Sequence, residues 1–347
     1  ISRILVRFRF ASRVRFVRRP FSDTMPVYAS VLDLIGDTPI VDVSELSPNR
    51  SVRLLAKLEG QNPAGSVKDR IALAMVREAE ADGTLTPGRT IIEPSSGNTG
   101  IALAMIARVR GYHLKVVLPE NVSVERRQAL EVFGAEIISS PGDEGSNGAV
   151  RMAHRLADEN PDWLFLYQYA NEANPRAHYE TTGPEILRDV PEITHFVAGL
   201  GTSGTLMGVG AYLKEQRPDV KVLAVEPPSG ELVQGLRSLD DGYVPPVFEK
   251  WGGYDLLDGK RIVRPRESIE YTRRLAAECG IFAGLSAGAA LAGAVRVASR
   301  IEADPNAGIV ATVVFVVCDG GWKYLSTGAW TADPDEVAEN IEQLIVF

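Results

Sequence analysis

The sequence predicts an α/β fold: two lobes, each built on a parallel sheet. Three observations point there. Short β-branched apolar runs alternate with amphipathic stretches of helical period, as in βαβ units. Several of these runs are almost wholly apolar, as strands covered on both faces should be, and Val310–Val317 is one of them. The chain has 347 residues, 45% hydrophobic and 24% charged, which favours two closely packed lobes over one core.

Residues 1–24 stand apart. They hold Arg3, Arg7, Arg9, Arg13, Arg15, Arg18 and Arg19, no lysine, and Asp23 as their one acid. Three readings are open: an arginine-rich targeting peptide, a basic arm for an acidic partner, or a stretch outside the mature protein, with translation starting at Met25. The last is favoured because globular patterning begins just after Met25, and 1–24 is expected to be poorly ordered.

From Val27 onward the elements follow in pairs. A strand over Leu54–Leu58 leads through Asn62-Pro63-Ala64-Gly65 into a helix over Ile71–Glu80. Thr90–Glu93 leads into Gly100–Arg110, Leu114–Leu118 into Val124–Phe133, and Glu136–Ser139 into Ala149–Asp158. His195–Ala198 precedes a helix over Thr205–Gln216. Val220–Val225 is followed by the least regular stretch, Pro227 to Pro265, which reads as a functional loop or lid. Helices over Ser268–Cys279 and Ala287–Arg300 and a strand over Val310–Val317 complete the pattern. The tail from Asp333 is acidic and ends in Leu344-Ile345-Val346-Phe347; it reads as a frayed terminus or an apolar end that docks.

Composition excludes several functions. A net charge of −8 argues against nucleic acid as the main ligand. No apolar run reaches the roughly eighteen residues of a membrane span. Cys279 and Cys318 form no CxxC and no Cys/His cluster, so neither a disulfide framework nor a metal site is expected; two isolated cysteines fit a reducing, cytoplasmic setting. His113, His154, His178 and His195 have no triad or metal spacing and read as structural or surface residues.

Four stretches carry the chemistry. In Gly65-Ser66-Val67-Lys68-Asp69-Arg70 a lysine sits at a helix start, where the helix dipole disfavours a positive charge. The ordinary reading is a surface lysine; the sharper one is an amine that deprotonates easily and forms a Schiff base. Glu93-Pro94-Ser95-Ser96-Gly97-Asn98-Thr99-Gly100 runs from strand to helix with more polar side chains than a cap needs, which suits a carboxylate or phosphate. Gly199-Leu200-Gly201-Thr202-Ser203-Gly204-Thr205 contains a G-x-G-x-x-G, with Glu226 ending the next strand, so a nicotinamide dehydrogenase competes here. Its mid-chain place and its hydroxyls favour a monophosphate instead. Gly284-Leu285-Ser286-Ala287-Gly288 opens a helix and alone would mean only close packing.

Together these segments resemble the cysteine synthase family, pyridoxal-phosphate β-replacement enzymes of the tryptophan-synthase-β fold group (fold type II), over roughly Val27 to Ala329. Gly36-Asp37-Thr38-Pro39-Ile40, Ser123-Val124-Glu125-Arg126-Arg127 and Lys323-Tyr324-Leu325-Ser326-Thr327 add to the likeness. The resemblance implies a smaller lobe of 25–36 with 59–170, a larger lobe of 37–58 with 171–332, and a tail over 333–347. It implies that Lys68 holds pyridoxal 5'-phosphate and moves the substrate's Cα proton. Asn98 would hydrogen-bond the ring hydroxyl, Gly201, Thr202, Ser203, Gly204 and Thr205 would hold the phosphate, and Ser286 would meet the pyridine nitrogen. Ser95, Ser96, Thr99 and Gln168 would hold the substrate carboxylate. A serine offers the ring nitrogen no anion, so the ring is a weak electron sink and expulsion of a β-leaving group is favoured over transamination.

Within the family the sequence is most similar to the actinobacterial branch labelled cysteine synthase B, through Thr194–Thr202 and Gly321–Ala329. That branch prefers O-phosphoserine and takes sulfur from the C-terminal thiocarboxylate of a small ubiquitin-like carrier protein. Arg237 matches its phosphate-reading arginine, a side chain suited to paired, charge-assisted hydrogen bonds. Two departures stand out: Glu226-Pro227-Pro228, where the branch often has an arginine, and the lack of its near-terminal tryptophan. The expected protein is a cytoplasmic homodimeric transferase making cysteine from a small amino-acid substrate. An O-acetylserine sulfhydrylase using sulfide, a cystathionine β-synthase, an NAD-dependent dehydrogenase and a non-catalytic partner-binding scaffold are the alternatives.

Overall fold

The structure, a computed structural model, describes residues 27–95, 97–302 and 308–344. The basic arm at 1–24, Ser96 and the apolar end at 345–347 lie outside the described residues. Ten strands run in chain order as β1 (Ile40–Asp42), β2 (Val52–Leu58), β3 (Thr90–Pro94), β4 (His113–Pro119), β5 (Glu136–Ser140), β6 (Trp163–Phe165), β7 (His195–Gly199), β8 (Lys221–Glu226), β9 (Gly259–Ile262) and β10 (Ala311–Val317). Helices are α1 (Lys68–Ala81), α2 (Asn98–Arg110), α3 (Val124–Val132), α4 (Gly145–Glu159), α5 (Ala173–Ala177), α6 (Gly183–Asp189), α7 (Gly204–Gln216), α8 (Pro246–Lys250), α9 (Pro265–Cys279), α10 (Leu285–Arg300) and α11 (Pro334–Leu344).

The strands form two sheets. One has the order β5-β4-β3-β6 and is wholly parallel. The other has the order β1-β2-β10-β7-β8-β9, parallel except for the β1 edge. Side chains alternate across each strand, and in the larger sheet both faces are buried. Val313, Phe315 and Val317 of β10 enter one core with Ala287, Leu291 and Ala294 of α10. Val314 and Val316 enter the opposite core with Leu206, Met207 and Val209 of α7. That double burial explains the unbroken apolar runs. In the smaller sheet, Ile91 and Val116 face α1 and α2, while Ile92 and Val117 face α4.

The α/β class and every predicted strand and helix are present, with ends shifted by a few residues. Three strands were not anticipated: β1, β6 and β9. Each has three or four residues and lies at a sheet edge. Pairing with one neighbour places them, and they are too short to show a period. The stretch from Pro227 to Pro265 is also less irregular than expected, since it contains α8 and β9. The tail is not frayed over its described part: α11 packs on α9 and buries Val337.

Candidate functional site

Parallel strands bring their C-terminal ends to one edge, and the loops leaving those ends are where open α/β sheets bind ligands. Here β2, β3 and β7 send Lys68, then Ser95 with Gly97 and Asn98, then Gly201 with Thr202 to a common cleft. The turn after β10 joins three of the four sequence motifs. Val67 N donates to Cys318 O at 2.8 Å, and Ser66 pairs with Asp319 in an isolated antiparallel bridge. Gly284 N donates to Asp319 O at 3.0 Å. Asn98 Nδ2 donates to Asp319 Oδ2 at 2.8 Å, and the Tyr324 hydroxyl donates to the same oxygen at 2.6 Å.

Lys68 is the first residue of α1, half-buried and on the cleft wall. The turn that delivers it is shaped by Asp69, whose carboxylate accepts from Ala64 N at 2.5 Å and from the Ser66 hydroxyl at 3.3 Å. Burial raises the Asp69 carboxyl to about 6 against those bonds. A second amine stands close by. Lys323 Nζ donates to Gly65 O at 2.9 Å, and burial lowers its pKa.

Ser95, Asn98, Thr99, Gln168, Gly201, Thr202 and Arg237 line the same cleft as Lys68. The Ser95 hydroxyl oxygen accepts from Gly100 N at 2.9 Å and Gly97 N at 3.3 Å, and the Thr99 hydroxyl donates to Gln168 Oε1 at 2.6 Å. Gly201 to Thr205 turn into the start of α7 through Ser203, which has a φ of +69°. Gly204 is needed there because a Cβ would stand 1.8 Å from Asn174 Oδ1. Asn174 Nδ2 donates to Thr202 Oγ1 at 3.1 Å, and Thr205 Oγ1 pairs with His178 Nε2 at 3.1 Å. His178 is fully buried, with its pKa well below the usual value first through burial and then through the Arg70 and Lys68 charges. It therefore acts as a neutral support beneath the turn, which fits the structural reading of the histidines. Ser286 is not on the open wall. It is the second residue of α10, buried, and its Oγ lies 3.8 Å from where a Cβ on Gly235 would be.

Arg237 projects from the loop after β8. Its guanidinium lies over the rings of Tyr243 at 4.6 Å and Tyr169 at 5.1 Å, and the Tyr243 and Tyr167 hydroxyls pair at 3.0 Å. It has no ion-pair partner among the described residues. Glu93 anchors the loop carrying Tyr167 and Tyr169, accepting from Tyr167 N at 2.8 Å and Gln168 N at 3.1 Å. Complete burial pushes its carboxyl up to about 8, against the pull of the two amides.

Two stretches that add to the likeness without carrying chemistry in the sequence, 123–127 and 323–327, meet each other beside the cleft. Ser326 N and its hydroxyl donate to the Glu125 carboxylate at 2.7 and 2.8 Å, and the Ser123 hydroxyl donates to Lys323 O at 3.1 Å. Behind the site lies a buried ion cluster. Arg70 bonds Glu59 and Glu185 at 2.7 Å each, and Lys57 bonds Glu185 at 2.7 Å. Burial alone would raise the Glu185 carboxyl, but Arg70 and Lys57 hold it down to about 2. The cluster ties α1 to β2 and α6.

The site suits a planar, phosphate-bearing cofactor. An amine, a glycine-tight turn at a helix start and a hydroxyl-bearing helix start converge, while the buried Asn98 Oδ1 and Asn174 Oδ1 have no protein partner. Sequence reasoning missed Glu93, Arg126, Asp319 and Tyr324 as site residues. The first two and Tyr324 stand inside quoted motifs, whereas Asp319 had only its place after β10 as a signal. Among the described residues there is no His/Cys/Asp/Glu group able to hold a metal and no helix long and apolar enough to cross a membrane.

Comparison with known proteins agrees with this arrangement. Residues 31–319 match the family model described as pyridoxal-phosphate dependent enzyme. Cysteine synthase B of Pseudomonas aeruginosa is 44% identical over 306 residues, covering 87% of this chain and 98% of that protein. The crystal structure of O-ureido-L-serine synthase superposes with a TM-score of 0.81 at 41% identity, covering 88% of this chain and 96% of that one. That of O-acetyl serine sulfhydrylase isoform 3 from Entamoeba histolytica gives 0.81 at 31% identity, covering 95% and 99%. The chain belongs to the pyridoxal-phosphate-dependent enzyme family and is a homologue of the cysteine synthases.

Proposed function

We propose that this chain makes L-cysteine by β-replacement on O-phosphoserine. The observation that carries the substrate reading is Arg237, a half-buried guanidinium on the cleft wall, backed by two tyrosine rings and without a carboxylate partner among the described residues. A guanidinium so placed keeps its N–H groups for a ligand. A phosphate ester takes paired, charge-assisted bonds from it that an acetyl ester lacks. The names of the relatives support cysteine as product and make O-acetylserine the competing ester.

Pyridoxal phosphate, when bound, supplies the electron sink that lets an amino acid lose its Cα proton and its β-substituent. Lys68 would hold the cofactor and carry the Cα proton on Nζ. Asn98 would face the ring hydroxyl, Gly201 to Thr205 the phosphate, and Ser286 the ring nitrogen as a neutral partner. Ser95, Ser96, Thr99 and Gln168 would receive the substrate carboxylate. The resemblance to the actinobacterial branch extends the proposal to a homodimer whose sulfur donor is the thiocarboxylate of a small carrier protein.

The test is steady-state cysteine formation from O-phosphoserine and O-acetylserine, with sulfide, thiosulfate and a protein thiocarboxylate as donors. A higher kcat/KM for O-phosphoserine is expected. Preference for O-acetylserine with every donor would refute the substrate reading.

A further inference from the structure

A second cavity lies at the opposite pole of the larger sheet, where its parallel strands begin. His195 opens β7, Lys221 opens β8 and Asp258 stands just before β9; with Arg261, Val297 and Arg300 they line a cavity of 270 Å³. Sites for drug-sized ligands begin at roughly 300 Å³, so this one suits a small ion or a single ester group. Its acid is already engaged. Asp258 is shared by Lys214 at 2.7 Å and Lys221 at 3.0 Å, and it accepts from Val222 N at 2.9 Å. Arg296, which acts on Arg261 through its charge, is matched by Glu267. Arg261 and Arg300 have no ion-pair partner among the described residues.

Arg300 alone would carry no argument, because it closes α10, where a cation suits the negative end of the helix dipole. Arg261 has no such explanation. It stands on the edge strand β9, on the face that α10 covers, with its Cβ 3.7 Å from where a Cβ on Gly293 would stand. Its side chain turns back toward the start of the strand, with Nη1 3.5 Å from the place of a Cβ on Gly259. Nη1 donates to Lys260 O at 2.9 Å, whereas Nε is buried and has no acceptor. Burial first, then the Arg300 and Arg296 charges, lower the Arg261 pKa. A charged donor held in this way is destabilising until an anion completes it. Two guanidinium forks and the Lys221 ammonium offer bonds to more oxygens than a carboxylate has, which favours a tetrahedral oxyanion. We infer that this cavity binds a phosphate group, at a site separate from the cofactor cleft and independent of the proposed substrate.

The experiment is calorimetric titration of the holoenzyme with inorganic phosphate at constant ionic strength. The parent is Arg237→Ala, so that the cleft's own phosphate-reading arginine does not contribute, and Arg261→Gln or Arg300→Gln is added to it. The parent should bind phosphate saturably, and each added change should weaken binding by about 10-fold or more, as expected for a lost bond to a charged group. Acetate should bind the parent at least about 10-fold more weakly than phosphate. Glycerol 3-phosphate separates the two sources of the group: affinity equal to that of phosphate or higher points to an ester, and lower affinity to the free ion, and both support the site. Arg300 is exposed, so its variant tests the inference if Arg261→Gln does not fold. No saturable binding in the parent, acetate binding as tight as phosphate, or unaltered affinity in either folded variant would overturn it.

Discussion

Asn98 Nδ2 donates to Asp319 Oδ2 at 2.8 Å, joining the first residue of α2 to the turn after β10. The bond fixes which way the Asn98 amide faces and leaves Oδ1 buried without a protein partner. On the proposed role of Asn98, Asp319→Ala should weaken cofactor binding by about 10- to 100-fold, the range for a lost bond to a charged group. Spectral titration of cofactor-free protein measures this. Unchanged affinity would remove Asp319 from the site's support.

Glu93 should make stability fall with pH. Its folded value of about 8 lies above the ordinary 4.5, so between those values the folded protein keeps a proton that the unfolded chain has lost. This term is therefore present below pH 4.5 and is lost as pH rises through about 8, by at most about 1.4 kcal/mol per pH unit. Glu93→Gln cannot ionise and should lack the slope. Urea melts at several pH values check it, and parallel curves for the two proteins would refute it.

The buried ion cluster should be far more sensitive than the surface pairs. Glu185→Ala leaves Lys57 and one side of Arg70 uncompensated, at a cost of about 3–5 kcal/mol. Arg53→Ala breaks half-exposed bridges to Asp42 and Glu192 and should cost less than about 1 kcal/mol. Denaturant unfolding separates these outcomes; similar losses would contradict the electrostatic account of the cluster.

Much of this architecture is legible in the sequence because local chemistry determines it. Val313 to Val317 must be a doubly covered strand, and Gly204 marks a turn too tight for a side chain. Asn98 and Thr202 sit in stretches with more polar side chains than a cap or a tight turn needs, whereas Lys68 and Arg237 take their reading from the resemblance. The rest depends on which loops meet. Asp319 matters because the turn after β10 lands between Ser66, Asn98 and Gly284. Lys57 reads as one polar interruption in a strand until folding brings Glu185 beside it. Arg126 looks like surface charge on a short helix until Tyr324 and Gln234 close around it. The edge strands β1, β6 and β9 are equally invisible, since a single neighbour and not their own residues defines them.

The most direct test of the account is the ratio of kcat/KM for O-phosphoserine to that for O-acetylserine, measured in wild type and in Arg237→Ala. The account predicts a ratio above one in wild type that falls by about 100-fold in the variant, with turnover of O-acetylserine retained. Equal losses on both esters, leaving the ratio unchanged, would contradict it.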